Sequence, residues 1–220
     1  MLFDLRSRGR RRTVQFIYFG LALVMVGGLL LVGVGTGSSG GLLNAFTNSG
    51  SSSGQNQAIS QAMKTAEKAV KEQPNSAAAW AQLLQAQYTA AGEGSNYDST
   101  TNTYTASGKQ ELRDVTNSWV RYSSLSGSPN ADIAIFAARA YAQLSDYAGE
   151  ADAWEMYTLA QPKQPKGFEC LAASAYAAKQ TRKASLAAAK AVSLTSKLEQ
   201  LTVKQLLQDA KTSPVVAQEC

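Results

Sequence analysis

The clearest structural pattern in the chain lies at residues 129–162, which read PNADIAIFAARAYAQLSDYAGEADAWEMYTLAQP. Apolar side chains recur there every three or four residues, which is the period of a helix that buries one face. Asp146 interrupts the segment and is a typical first residue of a helix, because its side chain accepts a backbone N–H bond. Pro162 ends the second half, since proline has no N–H to donate. The segment therefore predicts two short consecutive helices.

The same helical period continues on both sides of this pair. It predicts three helices before the pair and three after it, the last of them at residues 197–211. We therefore predict an all-α domain over residues 58–212, followed by a tail at residues 213–220. The long interruption of the domain is the polar stretch 92–107, which we interpret as an insertion loop.

The residues from Ala66 to Val70, a turn at Pro74, and then Trp80 and Leu83 resemble the junction between two tetratricopeptide (TPR) repeats. Residues 129–162 resemble a second unit, since the two prolines lie 33 positions apart, against a family repeat of about 34 residues. A third, degenerate unit covers residues 168–192.

The resemblance spans about residues 58–195 and implies a solenoid of helical hairpins, with the helix 197–211 capping its open end. Three features depart from the family pattern, one of which is that the third unit lacks its closing proline. Leu84 stands where the family has glycine, and the insertion 92–107 splits the first repeat. An irregular helical bundle is the alternative architecture.

A membrane anchor is predicted at Val14–Val34, a run with no ionisable side chain except Tyr18. As a helix it would rise about 31 Å, which matches a hydrocarbon core of about 30 Å. The arginine-rich tail 1–13 precedes it, and such residues stay in the cytoplasm. We predict a single-pass protein of the bacterial inner membrane whose helical domain lies outside the cytoplasm, after a flexible Gly/Ser linker at 35–57. A cleaved signal peptide is the alternative, although the run is long for one.

The charge is concentrated near the N-terminus. The net charge is +5. From Thr13 onward, however, there are 16 basic side chains (21 minus 5) and 15 acidic ones (16 minus 1). The helical domain therefore lacks the basic patch that nucleic-acid binding requires. Histidine is absent, which removes the commonest general base and most zinc and haem ligands. We expect no nucleic acid, small-molecule substrate, metal or cofactor, and no enzymatic activity.

One acidic cluster comprises Asp146, Glu150, Asp152 and Glu155. Paired carboxylates of this kind can perform acid–base chemistry. We favour a simpler interpretation, in which Asp146 is an N-cap and the other three are solvated acids that the helix dipole favours near a helix start.

The two cysteines, Cys170 and Cys220, lie 50 positions apart. An extracytoplasmic location would permit a disulfide, but spacing alone does not establish one. We favour a buried small hydrophobe at Cys170 and a free thiol in a frayed terminus at Cys220, with the disulfide as the alternative.

The resemblance to TPR proteins implies that a partner docks on the concave face, lined by the first helix of each pair. Arg139 can pair there with a carboxylate of the partner or with Asp132. Tyr97 and Tyr104 flank a Ser-Thr-Thr-Asn turn and could face each other in a hairpin, so the insertion is either a binding loop or a tolerated surface insertion. The predicted partner-binding residues are Gln85, Tyr88, Tyr97, Tyr104, Asp132, Arg139 and Gln143.

These observations favour a membrane-anchored extracytoplasmic scaffold with TPR-like repeats that binds another protein or peptide, and the lipid bilayer through Val14–Val34. Its layout is similar to that of ancillary translocon and envelope-assembly proteins, by fold-level analogy alone. The alternative is a structural or accessory subunit of a membrane complex that self-associates. A scaffold would keep its groove open, whereas a structural subunit would self-associate or fill the groove with its own tether.

Overall fold

The computed structural model describes residues 52–220, with side chains from Gln57 onward. This part of the chain is mostly helical, so the prediction of an all-α class is confirmed. Its helices are α1 (Ser52–Glu72), α2 (Ala77–Ala91), α3 (Ala106–Leu125), α4 (Ala131–Gln143), α5 (Tyr147–Ala160), α6 (Pro165–Ala177), α7 (Thr181–Leu194), α8 (Gln200–Asp209) and α9 (Val215–Gln218). Two short strands, β1 (Tyr97–Asp98) and β2 (Thr103–Tyr104), lie between α2 and α3.

The predicted cytoplasmic tail, the anchor Val14–Val34 and most of the linker 35–57 lie outside the described residues. From residue 52 to the last residue, none of the helices combines the length and the apolar character that a membrane span needs. Helix α1 begins at Ser52, inside the segment that we predicted as linker.

Side-chain caps set where several helices begin. Ser76 and Asp146 each accept the backbone N–H three residues further on, at 3.3 and 3.0 Å. The helix start predicted at Asp146 is therefore confirmed. Asn130 caps α4 by accepting two N–H groups of its first turn. Each cap satisfies donors that have no partner inside the helix. Helix α5 ends at Ala160, two residues before Pro162, as the proline predicts.

Helices α1 to α8 pack in chain order, each against the next. In addition, α2 contacts α4 and α6 contacts α8. The close approach of these helices depends on small side chains, because alanine adds little volume between two backbones. Trp119 and Trp154 are buried between the helices, whereas Trp80 and Phe136 lie half-buried at the edge of the core. The wholly buried residues of α4 are Ala134, Ala137, Ala138 and Ala140.

The insertion 92–107 folds into a small hairpin on the surface. Tyr97 pairs with Tyr104 across the two antiparallel strands, and their rings lie 5.1 Å apart at 72°. The predicted facing of these two tyrosines is therefore confirmed. Between the strands, the Asp98 carboxylate accepts the N–H of Thr100 at 2.9 Å, which forms the Asx turn that reverses the chain.

The last eight residues, predicted as a tail, are folded against the domain. Helix α9 contacts α4 and α6, and its Ala217 is buried. Cys220 forms a disulfide with Cys170 of α6, with Cα atoms 5.6 Å apart. The free thiol that we favoured at Cys220 is therefore wrong. The reason is the packing of α9, which brings the two cysteines within the range of about 4.4–6.8 Å that a disulfide requires.

Replacing Cys220 with serine is expected to lower the free energy of unfolding, because the disulfide closes a loop of 50 residues. The chain-entropy model gives a loss of up to about 4 kcal/mol for this loop length. Urea unfolding of the full chain in detergent, followed by tryptophan fluorescence, measures it. Reduced wild type is the control, and its urea midpoint should equal that of Cys220→Ser. The midpoint of Cys220→Ser should not change when reductant is added. A wild-type midpoint that ignores reductant would contradict the stabilising role of the disulfide.

Candidate functional site

A pocket of about 240 Å³ lies where α2, α4, α5 and the C-terminal segment meet. We call it the α4–α5 pocket. Three of the predicted partner-binding residues line it: Tyr88 from α2, and Arg139 and Gln143 from α4. The other lining residues are Ala138, Ala142, Glu150, Trp154, Gln218, Glu219 and Cys220.

Helix spacing brings these side chains together. Arg139 and Gln143 lie four residues apart, as do Glu150 and Trp154, so each pair shares one face of its helix. Ser145, in the turn between the two helices, has the left-handed backbone angle φ 58°. The tight reversal at this residue places the end of α4 beside the start of α5. Both pairs therefore line the same pocket.

Glu150 is the most unusual side chain of the pocket, because none of its surface is open to solvent. Its Oε1 accepts the indole N–H of Trp154 at 3.3 Å, whereas its buried Oε2 has no hydrogen-bond partner among the described residues. Burial raises the pKa of Glu150 to about 8, and the bond from Trp154 opposes part of that rise. The carboxyl group is therefore mostly protonated at neutral pH, since a buried charge without a counter-charge is costly.

The acidic cluster around Glu150 divides into three environments. The prediction that Glu150 is a solvated acid is wrong, because α5 turns this residue into the space between packed helices. Asp146 is the N-cap, as predicted. Asp152 and Glu155 are solvated, as predicted, and both bind Lys183 of α7, at 2.9 and 2.7 Å. Exposed ion pairs of this kind contribute at most about 1 kcal/mol each.

The hairpin of β1 and β2 forms a second pocket next to the α4–α5 pocket. Tyr97, Asn102 and Tyr104 line a second pocket of about 270 Å³, and Gln143 lines both pockets. Burial and, to a smaller extent, the neighbouring Tyr88 together raise the pKa of Tyr104 to about 12. The Tyr104 hydroxyl therefore stays neutral at physiological pH and shares a hydrogen bond with Tyr88.

Five of the seven predicted residues thus lie around two adjoining pockets. We call them the tyrosine–arginine surface: Tyr88, Tyr97, Tyr104, Arg139 and Gln143. Gln85, half-buried on α2, and Asp132, exposed in the first turn of α4, line neither pocket. Arg139 is exposed and forms no ion pair with Asp132 or with any other side chain of residues 57–220. That these residues bind a partner stays a prediction.

The sequence interpretation missed Glu150, Trp154 and the C-terminal residues as parts of this site. A signal for the first two was present, because a carboxylate one turn before a core tryptophan lies on the same helix face. Cys220 was the signal for the C-terminal segment, since Cys170 is its only possible partner within the chain. Across residues 52–220, no three His, Cys, Asp or Glu side chains are arranged to hold a metal ion.

Comparison with protein-family models, with curated proteins and with solved structures finds no match to this chain. Function is therefore inferred from the pockets, their side chains and the packing of the helices.

Replacing Glu150 with glutamine is expected to remove a loss of stability that the wild type shows as the pH rises from about 4.5 to about 8. The pKa of this group is about 8 in the folded chain and about 4.5 in the unfolded chain, so the folded state keeps a proton that the unfolded state releases. The Glu150 carboxyl group contributes fully to the free energy of unfolding below about pH 4.5, and this contribution is lost as the pH rises through about 8. Between about pH 5 and 9 the wild-type free energy of unfolding should fall more than that of Glu150→Gln, by a few kcal/mol in order of magnitude.

Urea unfolding of the full chain at several pH values measures this difference. The matched control is Glu155→Gln, which changes an exposed glutamate of the same helix and should keep the wild-type pH dependence. Equal pH dependence in wild type and Glu150→Gln would show that the Glu150 carboxyl group is not held in a dry environment.

Proposed function

We propose that this protein is a membrane-anchored scaffold that binds another protein or peptide outside the cytoplasm through TPR-like repeats. The observation that supports it best is the tyrosine–arginine surface. There Arg139 is exposed without an ionic partner among the side chains of residues 57–220, beside tyrosines that line two pockets. Arginine and tyrosine are among the side chains that contribute most to binding at protein interfaces.

The order of helix packing supports the TPR-like interpretation. Helices α2 and α3, α4 and α5, and α6 and α7 are three consecutive pairs, and each helix packs on the next. Contact of α2 with α4 joins the first helices of two neighbouring pairs. Nearest-neighbour packing of this kind is typical of helical repeat proteins. In this interpretation α2, α4 and α6 line the concave face, and α8 caps the last pair.

The disulfide supports the predicted location. Disulfides persist in oxidising compartments such as the bacterial periplasm and are rare in the cytoplasm. The bond between Cys170 and Cys220 therefore agrees with an extracytoplasmic domain. The arginines of residues 1–13 independently favour the same orientation, because they precede Val14–Val34.

A second candidate function, a structural subunit of a membrane complex, is favoured by one observation. Helix α9 packs on α4 and α6, so a segment of the chain itself occupies part of the proposed concave face. A groove filled by its own chain is what we expect of a subunit that contributes to assembly without capturing a separate ligand. The two candidates predict different contacts of Arg139 in intact membranes: a foreign polypeptide for the scaffold, and another copy of this chain for the structural subunit.

Photocrosslinking in intact membranes distinguishes the two candidates. A photoreactive residue at position 139, and separately at position 97, is expected to trap one discrete foreign polypeptide, identified by mass spectrometry. The control position is Arg182, which is exposed on α7, a helix that lines neither pocket. Loss of the product on Tyr88→Ala would show that the tyrosine–arginine surface carries the contact. Self-crosslinks alone at positions 139 and 97 would favour the structural subunit.

Deleting residues 14–34 is expected to release the protein from membranes, since this run is the proposed anchor. The full chain should resist alkaline extraction, and protease added outside spheroplasts should digest the helical domain. The control is intact cells, whose outer membrane excludes the protease. Extraction of the full chain at alkaline pH would contradict the anchor, and a mature N-terminus after residue 34 would favour the cleaved signal peptide.

A further inference from the structure

We propose that the α4–α5 pocket binds a lysine side chain of the partner, with Glu150 as the counter-charge of its ammonium group. This inference rests on the proposed function and adds to it the chemistry of the residue that is recognised.

The first reason is the unpaired oxygen of Glu150. Its Oε2 is buried and accepts no hydrogen bond from any described residue, although Glu150 lines a pocket. A buried polar group without a partner is unfavourable, because it has lost its hydrogen bonds to water. A donor from outside the chain that reaches Oε2 therefore replaces an unfavourable state with a hydrogen bond.

The second reason is the charge of the lining residues. The ionisable side chains that line the pocket are Tyr88 from α2, Arg139 from α4, Glu150 from α5 and Glu219 from the C-terminal segment. When Glu150 is ionised, two carboxylates and one guanidinium line the pocket. The pocket then favours a cation over an anion. A bound ammonium in turn stabilises the ionised form of Glu150, because an opposite charge nearby favours the charged state.

The third reason is geometric and favours lysine over arginine. A guanidinium binds a carboxylate best through two parallel bonds, one to each oxygen. Here Oε1 already accepts the indole N–H of Trp154, so Oε2 is the oxygen left for a ligand. A lysine ammonium is a compact donor that needs only one carboxylate oxygen. Gln143 and Gln218, which also line the pocket, have amide oxygens that suit its remaining N–H groups.

The size and the walls of the pocket suit one long side chain. Its volume of about 240 Å³ is below the range of about 300–1,000 Å³ that is typical of drug-sized ligands. Ala138, Ala142 and Trp154 give an apolar wall for the methylene stem of lysine. Because Glu150 is closed to solvent, entry requires the wall to open, and part of that wall belongs to the short segment 218–220.

The test follows the indole N–H of Trp154 by NMR in the full chain in detergent micelles, with ¹⁵N-labelled tryptophan. The chain has three tryptophans, so Trp80 and Trp119 serve as internal references. The probe is Nα-acetyl-lysine amide, which keeps its side-chain ammonium group. The neutral control is Nα-acetyl-norleucine amide, which has a stem of similar length without the charge. Both are added at about 100 mM, well above a millimolar Kd.

The lysine amide is expected to lower the pH midpoint of the Trp154 resonance by about one unit or more, which is a tenfold preference for ionised Glu150. The norleucine amide should leave it unchanged. In Glu150→Gln the response should disappear while Trp80 and Trp119 keep their wild-type positions, which shows that the variant is folded. Glu155→Gln should respond as wild type does. A midpoint that the lysine amide does not move, or that both amides move equally, would overturn the lysine site.

This outcome is separate from that of the proposed function. If crosslinking at position 139 traps a foreign protein but the lysine amide has no effect, the scaffold stands and the lysine site is wrong. If the lysine amide lowers the midpoint but only self-crosslinks form, the lysine site stands and its lysine comes from another copy of this chain.

Discussion

The close approach of neighbouring helices is the constraint on which the rest of the structure depends. Helix α4 meets its neighbours through alanines that are wholly buried. Two glycines act in the same way: Gly149 of α5 lies against the ring of Tyr141, and Gly167 of α6 lies against the ring of Tyr157. A Cβ at either position would meet the ring. Because the helices are this close, water does not reach Glu150 at the start of α5. The chemistry of the pocket is thus a consequence of small residues on the helices around it.

The parts of the structure that depend on local rules could be predicted from the sequence. The start of α5 at Asp146 follows from a cap whose partner lies three residues away. The pairing of Tyr97 with Tyr104 follows from a turn of polar residues between them. Arg139 and Gln143 were predicted as partner-binding residues from the resemblance to TPR proteins, and they line one pocket because they lie four residues apart on one helix face.

The parts that depend on distant contacts could not be predicted in the same way. Whether Glu150 faces water or the core depends on how α5 is rotated against its neighbours. The alanines of α5 do not define this rotation, because alanine is tolerated both at the surface and in the core. The disulfide depends on α9 docking against α4 and α6, which joins Cys220 to a residue 50 positions earlier. No local pattern specifies that docking, and a four-residue helix is not stable without tertiary contacts.

Under the proposed function, the C-terminal segment limits the kind of partner that would fit the tyrosine–arginine surface. Helix α9 contacts both α4 and α6, and the disulfide holds the end of this segment to α6. A partner helix laid along the whole of this face would have to displace a segment that is covalently attached. The two pockets, of about 240 and 270 Å³, adjoin at Gln143, and the C-terminal segment lines only the first of them, through residues 218–220. Each has the size of a side-chain pocket rather than of a groove for a helix. For the proposed scaffold, an extended partner segment that places two side chains in neighbouring pockets is therefore a better fit than a helix bound in a groove.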